Sequence, residues 1–257
     1  MDDFEAIALN ALEAARPLAR SYFRTPLKVE RKADCSPVTL ADRAVERAMT
    51  AVLENACPNH GVLGEEYGTS GADARHVWVI DPIDGTKSFI SGVPLFGTLI
   101  ALLEDGVPIL GGIDMPMLGE TWIGRVDRDT RVNGETCRTA RRTRLEDAVL
   151  FATSPDQFTP EEYRFFDGLS QACAGRRFGG DCYSYGLLAS GHIDLILEAG
   201  LQPYDYLPLV PIVTGAGGMI TDWDGAPLTL RSQGRVLAAA TPDLHRKAVE
   251  RLRNSAA

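Results

Sequence analysis

Hydrophobic residues recur at helical spacing in two segments near the start of the chain. Residues 3–23 place apolar side chains every three or four positions, which predicts a helix that Pro17 should kink or split. A second helix is expected from Thr39 to about Ala56, because Thr39 and Asp42 have the spacing of a capping box. The chain therefore opens with amphipathic helices.

From residue 77 the pattern changes to short apolar runs separated by turn residues. Turns are predicted at Asp105-Gly106 and at Asn133-Gly134, a pair typical of hairpins. The expected strands are Val77 to Ile80, Thr98 to Leu103, Val107 to Ile113 and Thr121 to Gly124. This part reads as an antiparallel meander.

Beyond about residue 145, strands alternate with helices. We expect strands over 148–152, 193–198, 218–221 and 236–240, and helices over 160–174, 183–190, 205–214 and 242–252. An α/β (α+β) fold of layered sheets and helices follows from this order. The switch near residue 145 predicts an N-terminal α+β part, 1–145, and a C-terminal α/β part, 146–257.

Composition and charge narrow the possible partners. The 257 residues carry 26 Lys+Arg against 35 Asp+Glu, a net charge of −9, which argues against nucleic acid as the main partner. Four arginines lie between Arg138 and Arg144, and a solvated loop face is the favoured interpretation, with a phosphate contact or an interface as the alternative.

The location of the protein is expected to be cytoplasmic. No apolar stretch approaches the ~18 residues of a membrane span, and the acidic N-terminus is unlike a signal peptide. The five cysteines are odd in number and none has C-x-x-C spacing, which favours reduced thiols.

Carboxylates cluster where predicted strands and loops end. Glu65 and Glu66 precede the strand at Val77, Asp81 and Asp84 follow it, and Asp205 opens a later helix. Two like charges ~4 Å apart repel by about 4 kcal/mol at an effective dielectric near 20, and a metal compensates this better than Lys87. Oxygen-only ligands favour a hard cation such as Mg²⁺.

Gly85-Thr86 adds a cradle for an anion. Its backbone N–H groups and hydroxyl, at a helix start, suit a phosphate, which four carboxylates would repel unless metal ions bridged them. Two Mg²⁺ ions, or three, would balance these charges, an arrangement for metal-assisted phosphate hydrolysis. Taken singly, each feature is also explained by an Asx turn, a solvated acidic loop or a helix cap.

Taken together in their order along the chain, these motifs resemble those of the inositol monophosphatase family of Mg²⁺-dependent, lithium-sensitive phosphatases. The resemblance extends over nearly the whole chain. Trp78 to Thr86 matches its W-x-I-D-P-I-D-G-T signature, which is highly specific. Three further segments are similar to its other motifs, namely Ser36 to Asp42, Gly64-Glu65-Glu66, and Pro203-Tyr204-Asp205 followed by Gly215 to Gly218. The resemblance implies a layered α-β-α-β-α sandwich, as in the fructose-1,6-bisphosphatase superfamily, and a homodimer.

The resemblance also implies roles for individual residues. The expected metal ligands are Glu65, Asp81, the Ile83 carbonyl, Asp84 and Asp205, most of them in the N-terminal part, with Mg²⁺ as the cofactor and Mn²⁺ as an alternative. The expected catalytic residues that position the attacking water are Glu65, Thr86, Asp42 and Thr39. The expected substrate contacts are Asp84, Gly85, Thr86, Gly180, Asp181, Glu198 and Asp205.

Three segments differ from the usual motifs of the family and resemble its bacterial histidinol-phosphate phosphatase branch. Ser88 stands where most members have Asn, the second signature reads Tyr204 to Pro211, and Gly180-Asp181-Cys182-Tyr183 replaces a small uncharged segment. The resemblance implies that Asp181 and Glu198 share the substrate pocket, which would make it anionic and suited to the ammonium and imidazole of histidinol phosphate rather than to the hydroxyls of inositol. We therefore expect a histidinol-phosphatase of histidine biosynthesis.

Other functions stay open at this point. One is a phosphatase for inositol 1-phosphate, sugar bisphosphates or 3′-phosphoadenosine nucleotides, with Arg176 and Arg177 as candidates for holding a second phosphate. Another is a metal-binding regulatory or scaffold protein without turnover, against which the complete set of carboxylates argues. Glycoside hydrolysis by paired carboxylates is a weaker option. The four histidines are scattered without H-x-x-x-H spacing, which argues against zinc or phosphohistidine chemistry.

Overall fold

The computed structural model describes residues 4–26, 30–31 and 37–255, in which helices and sheets alternate in five layers. The strands are β1 Glu30–Arg31, β2 Pro37–Val38, β3 Gly61–Gly64, β4 Gly68–Ser70, β5 His76–Asp84, β6 Gly97–Glu104, β7 Val107–Met115, β8 Glu120–Arg125, β9 Arg128–Val132, β10 Glu135–Thr136, β11 Val149–Ala152, β12 Gly175–Phe178, β13 Leu195–Glu198, β14 Met219–Thr221 and β15 Val236–Ala239. The α-helices are α1 Phe4–Tyr22, α2 Leu40–Ala56, α3 Thr86–Ile90, α4 Pro160–Ser170, α5 Cys182–Ala189, α6 Pro203–Tyr206, α7 Leu209–Gly215 and α8 Pro242–Ser255.

Helices α1 and α2 cover the outer face of an eight-stranded sheet with the order β10-β9-β8-β7-β6-β5-β3-β4. The alternation along β5 explains how this sheet packs on both sides. Trp78 and Ile80 point to the α1–α2 layer, whereas Val77 and Val79 point to the opposite face. Helix α2 begins at the capping box of Thr39 and Asp42, as the spacing predicts.

The middle layer consists of α5, α6 and α7, which pack between the eight-stranded sheet and a five-stranded sheet of order β12-β11-β13-β15-β14. Two glycines let α7 approach the first sheet closely. A Cβ at Gly111 would lie 1.9 Å from the Pro208 carbonyl oxygen, and one at Gly124 would lie 2.5 Å from Ile212 Cα. Helices α4 and α8 cover the far face of the second sheet. The layered α-β-α-β-α sandwich is thereby confirmed.

Three local predictions differ from the structure. Of the kink or split expected at Pro17, the split does not occur, and α1 is one helix. Its buried face packs against the sheet, and Arg16 and Arg20 bond to Asp114 and to the Pro116 carbonyl. The helix expected over 205–214 is two short helices that meet at Pro208. Strands β3, β4 and β12 were not predicted, since they are short and contain few apolar residues.

Other sequence features also have a place in the fold. Three of the arginines between 138 and 144 form ion pairs, namely Arg138 with Asp129, Arg142 with Asp194 and Arg144 with Glu146.

The cysteines of the described residues are free, and Cys35 lies outside that part, as does Ser36. In the ranges described, no helix is long and apolar enough to cross a membrane. The subdomain boundary near residue 145 and the homodimer stay predictions.

Candidate active site

Three carboxylates converge where strand β5 ends against helix α6. One oxygen from each of Asp81, Asp84 and Asp205 lies within 4.8 Å of the other two. Asp205 is 121 positions or more away from the other two along the chain, so the layered fold brings them together. Three of the four carboxylates that were expected to converge are therefore close together, and their role as metal ligands stays a prediction.

A break in strand pairing aims the β5 carboxylates. Asp81 pairs with Leu99 and Asp84 pairs with Gly97, so β5 has one extra residue between them. Asp81 is buried, and its Oδ1 accepts a 3.0 Å hydrogen bond from the Ile83 N–H. Thr98 Oγ1 donates to the Pro82 carbonyl at 2.9 Å and holds the bulge. The two aspartates were expected to follow the strand, but they lie on its bulged end because β5 continues to Asp84.

Asp84 and Asp205 are each held by a backbone donor. The Cys182 N–H, at the start of α5, donates to Asp84 Oδ2 at 2.6 Å. The Gln202 N–H donates to Asp205 Oδ2 at 2.7 Å, which makes Asp205 the third residue of α6 in a capping box and corrects the expectation that it opens the helix. These bonds fix one oxygen of each carboxylate and leave the other for a ligand.

The electrostatics of this cluster fit a divalent cation. Burial and the neighbouring charges of Glu65, Asp84 and Asp205 raise the pKa of Asp81 well above its usual range. Burial raises the pKa of Asp84 to about 6 and that of Asp205 well above normal. The negative charges of Glu65 and Asp205 act directly on Asp81, so these carboxyls disfavour one another's ionised form. The cluster offers only carboxylate oxygens, and their negative charges need a counter-charge. Oxygen ligands of this kind suit Mg²⁺ or Mn²⁺.

Thr39 and Asp42 form a hydrogen-bonded pair at the start of α2. Asp42 Oδ2 accepts hydrogen bonds from the Thr39 N–H at 2.8 Å and from Thr39 Oγ1 at 2.7 Å, and both residues are buried. Burial raises the pKa of Asp42 to about 6, and the charges of Glu65 and Glu66 add to the effect. The structure thus brings Asp42, with Thr39 bonded to it, close to Glu65.

The Gly85-Thr86 segment begins helix α3 beside the carboxylates. Gly85 has φ +81°, and the N–H groups at the start of a helix have no acceptor within it. Thr86 Oγ1 donates to the Ile83 carbonyl at 3.1 Å. The segment can present backbone donors and a hydroxyl oxygen to an anion, as a phosphate cradle requires.

A second pair of acidic residues borders the cluster. A cavity of about 60 Å³ is lined by Asp84, Thr153, Gln157, Asp181, Cys182, Tyr185, Glu198, Leu201, Asp205 and Leu209. Glu198 Oε1 accepts from the Thr153 N–H at 2.9 Å, and its Oε2 accepts from the Tyr185 hydroxyl at 3.2 Å. Burial is the main cause that raises the pKa of Glu198 to about 7.

Asp181 lies over the phosphate cradle. A Cβ at Gly85 would be 3.0 Å from Asp181 Cγ, and Ser88 Oγ donates to Asp181 Oδ2 at 3.0 Å. Burial and the charge of Asp84 raise the pKa of Asp181 to about 7, although Lys87 acts in the opposite direction. Gly180, at φ +111°, approaches Ser184 so closely that a Cβ would lie 2.4 Å from Ser184 Oγ. Asp181 and Glu198 thus face one cavity.

Several residues that support this site are not predicted by any sequence motif. Thr153, Tyr185 and the Cys182 N–H hold predicted site residues, but they lie far from them in the chain. Glu46 was not predicted either, although a residue four positions after Asp42 lies on the same face of a helix and could have been considered with it. Arg176 forms an exposed ion pair with Asp167, and neither Arg176 nor Arg177 lines the cavity.

Known proteins with similar sequences and structures were found. A family model described as the inositol monophosphatase family matches residues 1–257. The chain is 44% identical over 261 residues to the chloroplastic bifunctional phosphatase IMPL2 of Arabidopsis thaliana, covering 98% of this chain and 75% of that protein. It is 37% identical over 226 residues to the histidinol-phosphatase of Mycobacterium tuberculosis, covering 85% and 87%. A solved inositol monophosphatase from Zymomonas mobilis superposes with a TM-score of 0.89 at 45% identity, covering 98% and 99%.

Proposed function

Since the chain belongs to the inositol monophosphatase family of phosphatases, we propose a specific substrate for it. The proposed reaction is hydrolysis of histidinol phosphate to histidinol and phosphate. The observation that carries this proposal is a pair of carboxylates, half-buried Asp181 and buried Glu198, that face one cavity beside the phosphate cradle. A substrate with a phosphate at one end and a cationic amine and imidazole at the other matches both halves of the site.

Glu65, Asp81, the Ile83 carbonyl, Asp84 and Asp205 would hold the metal, two or three Mg²⁺ with Mn²⁺ as the alternative. Support comes from the 4.8 Å convergence of the three aspartates and from their raised pKa values, which reflect burial and the charges of neighbouring carboxylates. When bound, the ions supply a Lewis acid that lowers the pKa of water and stabilises the leaving oxygen.

The protein groups around the metal would position the attacking water and the phosphate. Thr86 donates its hydroxyl proton to the Ile83 carbonyl, so its oxygen lone pairs are available to accept a hydrogen bond from water. Glu65, with Thr39 and Asp42 nearby, would accept or orient the water proton. The N–H groups of Gly85 and Thr86 would hold phosphate oxygens, while Asp84 and Asp205 contact the substrate from the metal side.

Charge favours the cationic substrate at the other end of the site. Glu198 is buried and Asp181 is half-buried, and ionising both of them in one cavity is unfavourable without a counter-charge. The ammonium and imidazole of histidinol phosphate would supply it through charge-assisted hydrogen bonds. Gly180 would leave space for the same end of the substrate.

The alternative substrate is inositol 1-phosphate, and the similarity to the inositol monophosphatase from Zymomonas mobilis favours it. The metal and phosphate groups serve either ester equally well, so only the pocket at Asp181 and Glu198 discriminates. The name of the Arabidopsis relative, a bifunctional phosphatase, does not choose between them.

The decisive experiment compares kcat/KM for histidinol phosphate and inositol 1-phosphate with the full chain in Mg²⁺. We expect histidinol phosphate to be the better substrate and EDTA to abolish phosphate release from both. A higher kcat/KM for inositol 1-phosphate would replace the proposal by the alternative. No release from any phosphate ester in Mg²⁺ or Mn²⁺ would leave a metal-binding regulatory protein.

A further inference from the structure

A buried carboxylate on helix α2 ties down the loop that carries Glu65. Glu46 is 1% exposed, and each of its carboxylate oxygens accepts a different backbone hydrogen bond. The Glu66 N–H donates to Oε2 at 2.8 Å, and the Tyr67 N–H donates to Oε1 at 3.0 Å. Both donors follow Glu65 directly in the chain, so the loop is bound to α2 where it presents Glu65.

The residue before Glu65 is fitted to the same carboxylate. A Cβ at Gly64 would lie 1.9 Å from Glu46 Oε1 and 2.5 Å from its Cδ. The backbone of Gly64 is not in the left-handed region, so the need for glycine comes from space and not from φ. The chain on both sides of Glu65 therefore contacts Glu46.

Electrostatics indicate that this contact serves more than packing. Glu46 is buried close to the carboxylates of Glu65 and Glu66, and burial together with these charges disfavours its ionised form. An apolar residue at the same place would avoid that cost, but it could not accept two backbone N–H groups. An ionised carboxylate is the group that fixes two adjacent backbone donors at once.

We propose that Glu46 is a positioning residue for the metal centre. It holds the backbone of residues 64–67 so that Glu65 lies close to Asp81. Asp42, one turn earlier on α2, lies close to Glu65 and Glu66. This inference rests on the proposed role of Glu65 as a metal ligand. Partners that orient metal ligands typically change metal affinity by about 10- to 100-fold when they are replaced.

The test measures Mn²⁺ binding to the EDTA-stripped full chain. The electron paramagnetic resonance signal of free Mn²⁺ reports how much of the ion is unbound. Glu46→Gln keeps the size of the side chain but has one acceptor oxygen, and its NH₂ group would face the second backbone donor. We expect its Mn²⁺ dissociation constant to rise by about 10- to 100-fold. The Mg²⁺ concentration for half-maximal phosphate release should rise in parallel, while kcat at saturating Mg²⁺ falls much less.

Glu162→Gln is the matched control. Glu162 is also a buried carboxylate that accepts a backbone hydrogen bond, from the Thr159 N–H at 2.9 Å, but it caps α4 on the far side of the second sheet. The Glu162→Gln substitution should lower the melting temperature without changing the affinity for Mn²⁺. An unchanged Mn²⁺ affinity in Glu46→Gln, with a wild-type chain that binds Mn²⁺, overturns the inference. A wild-type chain that binds neither ion overturns the proposed function instead.

A second variant keeps the test decisive if Glu46→Gln does not fold. Gly64→Ala displaces the Glu46 carboxylate from the loop side, and Gly175→Ala is its control because a Cβ there meets nothing within 4 Å. We expect weaker Mn²⁺ binding in Gly64→Ala and wild-type binding in Gly175→Ala. Wild-type affinity in a folded Gly64→Ala variant overturns the inference.

Discussion

Ser88 Oγ donates a 3.0 Å hydrogen bond to Asp181 Oδ2 across 93 positions of the sequence. Ser88 is on α3, the helix that begins at the phosphate cradle, and Asp181 precedes α5 with an unusual φ of +45°. The Asp181 side chain also packs against Gly85. The carboxylate proposed to select the substrate is therefore oriented by the element proposed to hold the phosphate.

Removing this hydrogen bond should weaken selection of the cationic substrate. In Ser88→Ala the Asp181 carboxylate loses a donor, and a hydrogen bond to a charged group contributes about 1.5–3 kcal/mol. We expect KM for histidinol phosphate to rise about tenfold or more, with a smaller change in kcat. Steady-state kinetics measure both, and Ser91→Ala, at the other end of α3, should match the wild type. An unchanged KM would show that Ser88 does not orient Asp181.

Neutralising Asp181 should act mainly on substrate binding. Asp181→Asn keeps the shape of the side chain but removes the charge that would pair with the ammonium group. KM for histidinol phosphate should rise by about 10- to 100-fold, in line with a lost charge-assisted hydrogen bond. Inositol 1-phosphate, which has no cationic group, should be hydrolysed as well as before or better. A loss of kcat at constant KM would contradict the binding role.

The stability of the metal-free protein should fall as pH rises. Folding raises the pKa values of Asp42 and Asp84 to about 6 and those of Asp181 and Glu198 to about 7. Between about pH 4 and pH 7 the folded chain then binds more protons than the unfolded chain, so the free energy of unfolding decreases with increasing pH. Thermal melts in EDTA should show a lower melting temperature at pH 8 than at pH 5.

Mg²⁺ should reverse this trend, since a bound cation replaces the protons that the carboxyls take up. The increase in melting temperature on adding Mg²⁺ should be larger at pH 8 than at pH 5. A melting temperature in EDTA that rises from pH 5 to pH 8 would argue against raised pKa values in the folded state.

Packing of α7 on the first sheet depends on Gly111. In Gly111→Ala the new methyl group meets the Pro208 carbonyl oxygen at 1.9 Å, and this backbone atom cannot move without moving α7. Overpacking of this kind typically costs about 1–3 kcal/mol. The melting temperature should fall clearly, whereas Gly175→Ala, where a Cβ has open space, should leave it nearly unchanged. Equal melting temperatures would mean that α7 adapts.

Features that depend on neighbours in sequence could be predicted from the chain alone. The capping box of Thr39 and Asp42, the turns at Asp105-Gly106 and Asn133-Gly134, and the strand that delivers Asp81 all arise from interactions within a few residues. The carboxylates and the glycine-threonine pair could be named for the same reason, because chemistry and spacing point to one kind of ligand.

Only the tertiary structure decided how these groups are held. The contacts of Glu46 with the Glu65 loop, of Ser88 with Asp181 and of Cys182 with Asp84 join segments 20 to 98 positions apart. Such contacts depend on which strands pair and how the layers pack, and no local pattern encodes either. Pro17 and Pro208 show the same limit, since long-range packing keeps α1 whole while the chain breaks between α6 and α7.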